Sequence, residues 1–288
     1  MKYVIKQMIL FCQQLLATIS FFAKLLVYRS FSNHLDRKYS GKVAVLANGP
    51  SLKGVLPMLT LDSFKDTDFV VLNFFAFDDT FFEIRPKHYC LADPMFFQKN
   101  HRIEDVRKLY KVLNDKVDWN MNVYIPTDMK KKFISFAGIS NPCIKIVPIN
   151  AKVDFQGFEC LRNCAYEHNW TMPLIHTVAL MAIYVAINSG YEEIDLYGVD
   201  HTYFGTLCVN EENQLCNVDT HFYDNGKPAL KPIIRNDNDQ IWKMSDYLTS
   251  LTGIFKGHDL LASYAQYKGV HILNCTKGSM IDSYERLV

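Results

Sequence analysis

The sequence predicts an α/β fold, a doubly wound and mostly parallel open sheet, on three observations. Short β-branched apolar runs recur through residues 41–288, several end in Asn or Asp, and helical segments separate them. Apolar runs of that length without polar alternation read as strands buried on both faces. Strands separated by helices imply parallel pairing.

Residues 1–31 form the first element, an amphipathic helix. At about 100° per residue, Lys2, Lys6, Gln13, Ser20 and Lys24 fall within about 40° of one another, and most of the remaining circumference is apolar. A narrow basic stripe on an apolar helix suits a membrane surface, with lysines at the headgroups. Gln13 and Gln14 interrupt the stretch, which argues against a span of ~20 apolar residues. Packing on the protein's own core or on another subunit is the alternative. Residues 32–40 are polar and read as a linker to a single domain over 41–288.

Residues 42–47 (KVAVLA) form the first strand, and Asn48-Gly49-Pro50-Ser51-Leu52 a tight turn after it. Residues 68–73 form the second strand, ending in Asn73, and 87–92 the third, ending in Asp93-Pro94. The Phe-rich run 74–82 reads as core. Strands follow at 122–125 and 144–147. A helix over 171–189 places Gly190 at its C-cap. A strand at 193–197 ends in Gly198-Val199-Asp200, and a helix over 257–267 leads to a last strand at 270–274. The stretch 201–239 is polar, Asn-rich and aperiodic, and reads as a lid or binding loop.

Composition narrows the function. With 49% hydrophobic and 21% charged residues the chain is not disordered, and 31 basic against 30 acidic residues leave no case for nucleic acid as a partner. Eight scattered cysteines, and no small-x-small cleavage site after the apolar start, point to reduced thiols and a cytosolic setting. Cys160 and Cys164 have a zinc-like spacing, but no second pair of ligands stands at a matching distance, so no metal site is assigned.

Ligands of open α/β sheets bind beyond the C-terminal strand ends. Asn48, Asn73, Asp93, Asp200 and Asn274 all stand there, which predicts a polar pocket along one sheet edge. Asn side chains both donate and accept, as ribose hydroxyls and base edges require. The turn at Gly49 lacks the dinucleotide and P-loop glycine patterns, although a phosphate could sit at the start of the next helix, near Ser51 and Leu52. Asp200 and His201 read equally as ligand contacts or turn residues, and His176 as a ligand contact or a satisfied core histidine.

Asn48-Gly49-Pro50-Ser51-Leu52, Asn73, Asp93-Pro94-Met95-Phe96-Phe97, Tyr197-Gly198-Val199-Asp200 and Asn274-Cys275-Thr276-Lys277-Gly278-Ser279 resemble the bacterial sialyltransferases of glycosyltransferase family 42. They also resemble the wider group of "domain of unknown function 115" proteins, which includes archaeal-type hydroxymethylpterin pyrophosphokinases and flagellin nonulosonate transferases. The resemblance covers roughly residues 41–288 and implies the GT-A-like variant of a Rossmann-like sheet. It implies donor contacts at Asn48 and Asn73, and at Asp93 where those enzymes carry Asn. His176 and Thr177 stand near the family's donor-binding Ser-Gly pair. Tyr203, and Tyr223 as a second candidate, take the role of stabilising the departing phosphate, with His201 beside Tyr203. The base is a histidine beyond the lid. His221 and His258 both fit, and His221 is favoured for its place beside Phe222 and Tyr223 in a polar loop.

The chemistry asks for such a set. A base must take the acceptor's proton, for which a histidine near neutral pKa is suited, and something must stabilise the leaving phosphate. The chain has no Asp-x-Asp in a credible loop setting, since Asp237-Asn238-Asp239 matches only formally. A CMP leaving group carries one phosphate, so hydroxyl donors can suffice. The expectation is a metal-independent, inverting transferase without a cofactor. It moves a nonulosonate-like sugar from a CMP-activated donor to a surface glycan or lipid-linked glycan, at the cytoplasmic face of the bacterial inner membrane. A homo-oligomer is compatible with it. The alternatives are a pterin pyrophosphokinase-like enzyme and a non-catalytic nucleotide- or glycan-binding protein.

Overall fold

A computed structural model describes residues 2–28, 35–218, 230–235, 238 and 240–287. The expected base His221 and the phosphate candidate Tyr223 lie outside the described residues.

Eight parallel strands form the central sheet: β1 (Lys42–Leu46), β2 (Thr67–Leu72), β3 (His88–Cys90), β4 (Met121–Pro126), β5 (Ile144–Ile149), β6 (Glu193–Tyr197), β10 (His271–Asn274) and β11 (Glu285–Arg286). Their order is β11-β10-β6-β1-β2-β3-β4-β5. The strand order reverses between β1 and β6, which pair in parallel from Lys42 against Glu193 to Leu46 against Tyr197. Alternation sends Val43 and Val45 to one face of the sheet and Ala44 and Leu46 to the other, so β1 is buried on both sides.

One face is covered by α6 (Val178–Ser189) and α7 (Met244–Lys268), the other by α3 (Ile103–Lys116) together with Phe74, Phe75 and Phe81 of the Phe-rich run. Every residue of α6 from Ala179 to Ser189 is buried, which its all-round apolar sequence requires. Each buried Leu, Ile or Val there contributes about 1.5–3 kcal/mol of transfer free energy. The shorter helices are α2 (Thr80–Ile84), α4 (Lys130–Ala137) and α5 (Glu159–Glu167).

Four expectations need correction. The helix expected over 171–189 begins at Val178. Thr171 spends its hydroxyl on the Val153 carbonyl, and Pro173 lies in a bend ahead of the helix. Gly190 does close α6, in the left-handed region at φ 109°. Secondly, α7 starts well before residue 257. Its pattern is broken by Gly253 and Gly257, where a Cβ would collide with the His176 imidazole and with Leu180. Thirdly, the stretch read as an aperiodic lid contains a small antiparallel sheet of β7 (Leu207–Val209), β8 (Leu215–Val218) and β9 (Leu230–Pro232). Its strands are three or four residues long, too short for alternation to register. Lastly, residues 35–40 of the expected linker are a brace. Tyr39 stacks on Tyr191 with centroids 5.4 Å apart, and its N–H donates to the Ser189 carbonyl at 3.0 Å.

The N-terminal helix α1 (Lys2–Tyr28) is long and apolar enough to cross a membrane by length and composition. Only Thr18, Phe21 and Leu25 are buried, against Val153, Phe155 and Ala165. Most of its large apolar residues are exposed.

Candidate functional site

The reversal of strand order between β1 and β6 opens a crevice at their C-terminal ends, where this sheet type binds ligands. A cavity of about 250 Å³ lies there, lined by Asn48, Gly49, Pro50, Asn73, Thr177, Gly198, Asp200, His201 and Tyr203. A second cavity of about 430 Å³ shares Asn73, Thr177 and Tyr203 and adds Asp93 and His176. Of the expected site residues that are described, Ser51, His258 and Asn274 line neither, and the others line one or both.

Asn48 follows β1 and Asn73 follows β2. The Asn48 amide nitrogen donates to the Leu72 carbonyl at 3.3 Å. Asn73 occupies the left-handed region at φ 48°, which Asn tolerates better than most side chains, and its carbonyl accepts from the Tyr89 hydroxyl. Among the described residues, neither amide oxygen has a hydrogen-bond partner, and both atoms are buried. Both residues line the first cavity, and such oxygens are uncommon because buried polar atoms are nearly always paired.

The first turn differs from its expected role. Ser51 turns away from the cavity, donating its backbone N–H (3.2 Å) and its hydroxyl (2.8 Å) to the Asp200 carboxylate. The segment after the turn is a 3-10 stretch, Pro50–Gly54, so the phosphate seat expected at Ser51 and Leu52 is already taken by a carboxylate. Gly49 is required because a Cβ would collide with that same carboxylate and with the Gly198 carbonyl. Asp200 therefore clamps the β1 turn to the β6 turn. Burial raises its carboxyl above the ordinary value, and the two Ser51 donors offset this in part.

The start of α6 also borders the crevice. Thr177 is its N-cap in extended conformation, with no side-chain capping bond and no acidic residue in the first turn. Val178 and Ala179 line the first cavity, so the first turn's N–H groups stand at its wall.

The histidines also differ from expectation. His201 sits at φ 51° and is 8% exposed. Its Nδ1 is 3.1 Å from the Tyr203 hydroxyl and its Nε2 is 3.0 Å from Nε2 of His258. His258 in turn places Nδ1 3.0 Å from the Tyr284 hydroxyl. Both nitrogens of both rings are engaged, so neither His201 nor His258 can take a proton directly from a ligand. Burial pushes His201 down to about 4, and burial with the neighbouring His201 pushes His258 well below its ordinary value. His176 is no core histidine. It is exposed, precedes α6 and lies over Gly253, with partial burial lowering its pKa.

Asp93 accepts from the Met95 N–H at 3.1 Å at the edge of the second cavity. Asn274 does not reach the crevice: its amide binds Ser279 (3.1 Å) and accepts from the Thr276 N–H (3.1 Å), holding the last turn. Arg235, Trp242, Asn217 and Tyr247 also line the cavities, and sequence reasoning missed them. The guanidinium of Arg235 lies 4.3 Å from the centroid of Trp242. The only signal was a lone Arg within the polar stretch and a Trp just beyond it. Among the described residues, no group of three or more His, Cys, Asp or Glu is placed to hold a metal ion.

Fold and site together define a class, a parallel α/β protein with a polar ligand crevice at its topological switch point. Compared with known protein families and with curated proteins, the chain matches none.

Proposed function

We propose that this protein is a glycosyltransferase that moves a nonulosonate-like sugar from a CMP-activated donor to a surface-glycan hydroxyl, with inversion and without a metal. The observation that carries the reading is that Asn48 and Asn73, whose buried amide oxygens have no partner among the described residues, line one cavity together. Each calls for a donor, and ribose hydroxyls and the exocyclic amine of cytosine are donors of the right size. The uncapped start of α6 with Thr177, and the Tyr203 hydroxyl, suit the single phosphate. Arg235 brings a cation to the second cavity, where a sugar carboxylate would lie. Of the two histidines that fit the base, His221 is favoured for its place beside Phe222 and Tyr223, and Tyr223 is a second candidate phosphate contact.

The helix α1 supports a location of this chemistry at a membrane surface. Contacts with the domain run from Phe11 on Phe158 to Tyr28 under Lys152, about 26 Å of helix at 1.5 Å per residue. Residues 2–10 alone are too short for a hydrocarbon core of about 30 Å. At about 100° per residue the docked stripe and the Lys2, Lys6 and Lys24 stripe share one side of the helix, while Ile5, Met8, Leu15, Ile19 and Leu26 form an exposed apolar arc opposite both. A helix lying in the interface presents that arrangement.

The test is calorimetry with CMP, ATP, GTP, UDP and GDP, each with EDTA and with magnesium. Tight CMP binding that ignores EDTA is expected. Magnesium-dependent ATP binding without a response to CMP would replace this reading with a pyrophosphokinase.

A further inference from the structure

A third cavity, of about 390 Å³, is walled by α1, α5 and α7 and lined by Gln14, Asp154, Gln156, Arg162, His176 and Lys256. Its basic side chains come from separate places in the chain: Arg162 from α5, Lys256 from α7 and His176 from the approach to α6. One acid lines it with them, Asp154, whose carboxylate accepts from the Gln156 amide at 2.9 Å.

Arg162 is the anchor. Its side chain is 15% exposed, and one terminal nitrogen donates to Glu159 at 2.9 Å. Glu159 is itself exposed and does not line the cavity, so water screens that pair. The Arg162 Nε is buried and has no hydrogen-bond partner among the described residues. A guanidinium presents five N–H donors in a planar fork, and a buried donor left unpaired costs free energy. Lys256 is exposed and makes no ion pair or hydrogen bond among the described residues. A fork with donors to spare beside a free ammonium matches the oxygens of a phosphate ester.

The place of the cavity says what that phosphate belongs to. At one end stands α1. Gln14 is half-buried there, its carbonyl accepts from the Thr18 hydroxyl at 2.8 Å, and the Thr18 oxygen accepts from the Phe158 N–H at 3.3 Å. The helix is thus pinned along the rim. At the other end the cavity meets the second cavity, which Asn73, Asp93, Tyr203 and Arg235 line, and His176 is the one residue common to both. A molecule seated here reaches from α1 towards the sugar donor.

We propose that this cavity seats the phosphate of a lipid-linked acceptor, whose saccharide passes His176 into the second cavity. The inference rests on the CMP-sugar reading above and deepens it by naming the acceptor class. Because the two cavities meet at a single residue, the receiving hydroxyl lies close to the phosphate, on a short saccharide and not at the far end of a long glycan. A phospholipid headgroup offers the same phosphate chemistry but carries no saccharide to reach the second cavity.

The deciding experiment is calorimetry on the full chain with three probes: CMP, N-acetylglucosamine linked through diphosphate to a geranyl chain, and dihexanoyl phosphatidylglycerol, the two lipids below their micelle concentrations. The glucosamine probe is expected to bind. Lys256→Ala should weaken it on the order of tenfold, and Arg162→Lys, which keeps the charge and loses the fork, should weaken it too, both with CMP affinity unchanged. In turnover with that probe as acceptor, Lys256→Ala should raise its KM with kcat unchanged. A wild-type chain that binds CMP but not the glucosamine probe, or a Lys256→Ala chain with unchanged affinity for it, overturns the acceptor seat and leaves the CMP-sugar reading standing. Phosphatidylglycerol binding as tightly, with the same dependence on Lys256, makes the cavity a headgroup seat and overturns the acceptor assignment. Failure of the wild type to bind CMP overturns the reading itself, and the acceptor assignment with it. Lys256 is exposed, so its variant decides the matter even if the Arg162 variant fails to fold.

Discussion

Asn48 and Asn73 hold amide oxygens that are buried and unpartnered among the described residues, a state that costs free energy until a ligand supplies donors. The two positions differ in what they tolerate. Asn48 makes one long bond, to the Leu72 carbonyl at 3.3 Å, whereas Asn73 also occupies the left-handed region. Asn48→Ala is therefore the cleaner probe. It should weaken CMP binding roughly tenfold, about 1–2 kcal/mol, while leaving the melting temperature nearly unchanged. Wild-type CMP affinity in this variant, measured by calorimetry, would remove Asn48 from the site. At Asp200 the logic is reversed. Its carboxylate accepts from Ser51 twice, so it shapes the crevice by tying two turns together.

At the scale of the element, α1 presents two kinds of surface. Thr18, Phe21 and Leu25 are buried, and the Phe21 ring meets Phe155 at 4.5 Å edge-on. Met8 and Ile19 stand on the exposed arc. Met8→Glu with Ile19→Glu should abolish co-sedimentation with vesicles containing anionic lipid, and leave the unfolding transition in place, because the docked stripe is untouched. Retained vesicle binding by the double variant would show that the arc is not the membrane face. The helix α6 is a contrasting case. It is shorter and more completely buried, and its N-terminal residues border the crevice.

For the whole molecule, acid is the condition to which the architecture is most exposed. His88 lies at the opposite end of the sheet from the crevice, between the hydroxyls of Tyr124 and Tyr191, each at 2.9 Å. Burial holds it down to about 4, as it does His201, with His258 also far below its ordinary value. Folded pKa values below the unfolded value of 6.5 mean that unfolding takes up protons. The contribution is complete above about pH 6.5 and is lost as pH falls towards about 4, at about 1.4 kcal/mol per pH unit for each imidazole. The urea midpoint at pH 5 should therefore lie clearly below that at pH 7.5. Equal midpoints would mean that these imidazoles titrate normally in the native state.

The succession of strands along the chain, the apolar central helix and the polar residues at strand ends are local patterns, and the sequence by itself determined them. Periodicity and turn chemistry act over a few residues, so a run such as KVAVLA followed by Asn-Gly-Pro declares both a buried strand and its exit. The small β7–β8–β9 sheet was not legible, because strands of three or four residues show no period and depend on partners. The early start of α7 was hidden by Gly253 and Gly257, whose reason is the close approach of His176 and Leu180 from another segment. Side-chain roles were the least legible. The Asp200 carboxylate reaches Ser51 across 149 residues and His201 reaches His258 across 57. Such pairings are set by where the chain crosses itself, so only the tertiary structure decided that Asp200 ties two turns together and that His201 is held between Tyr203 and His258.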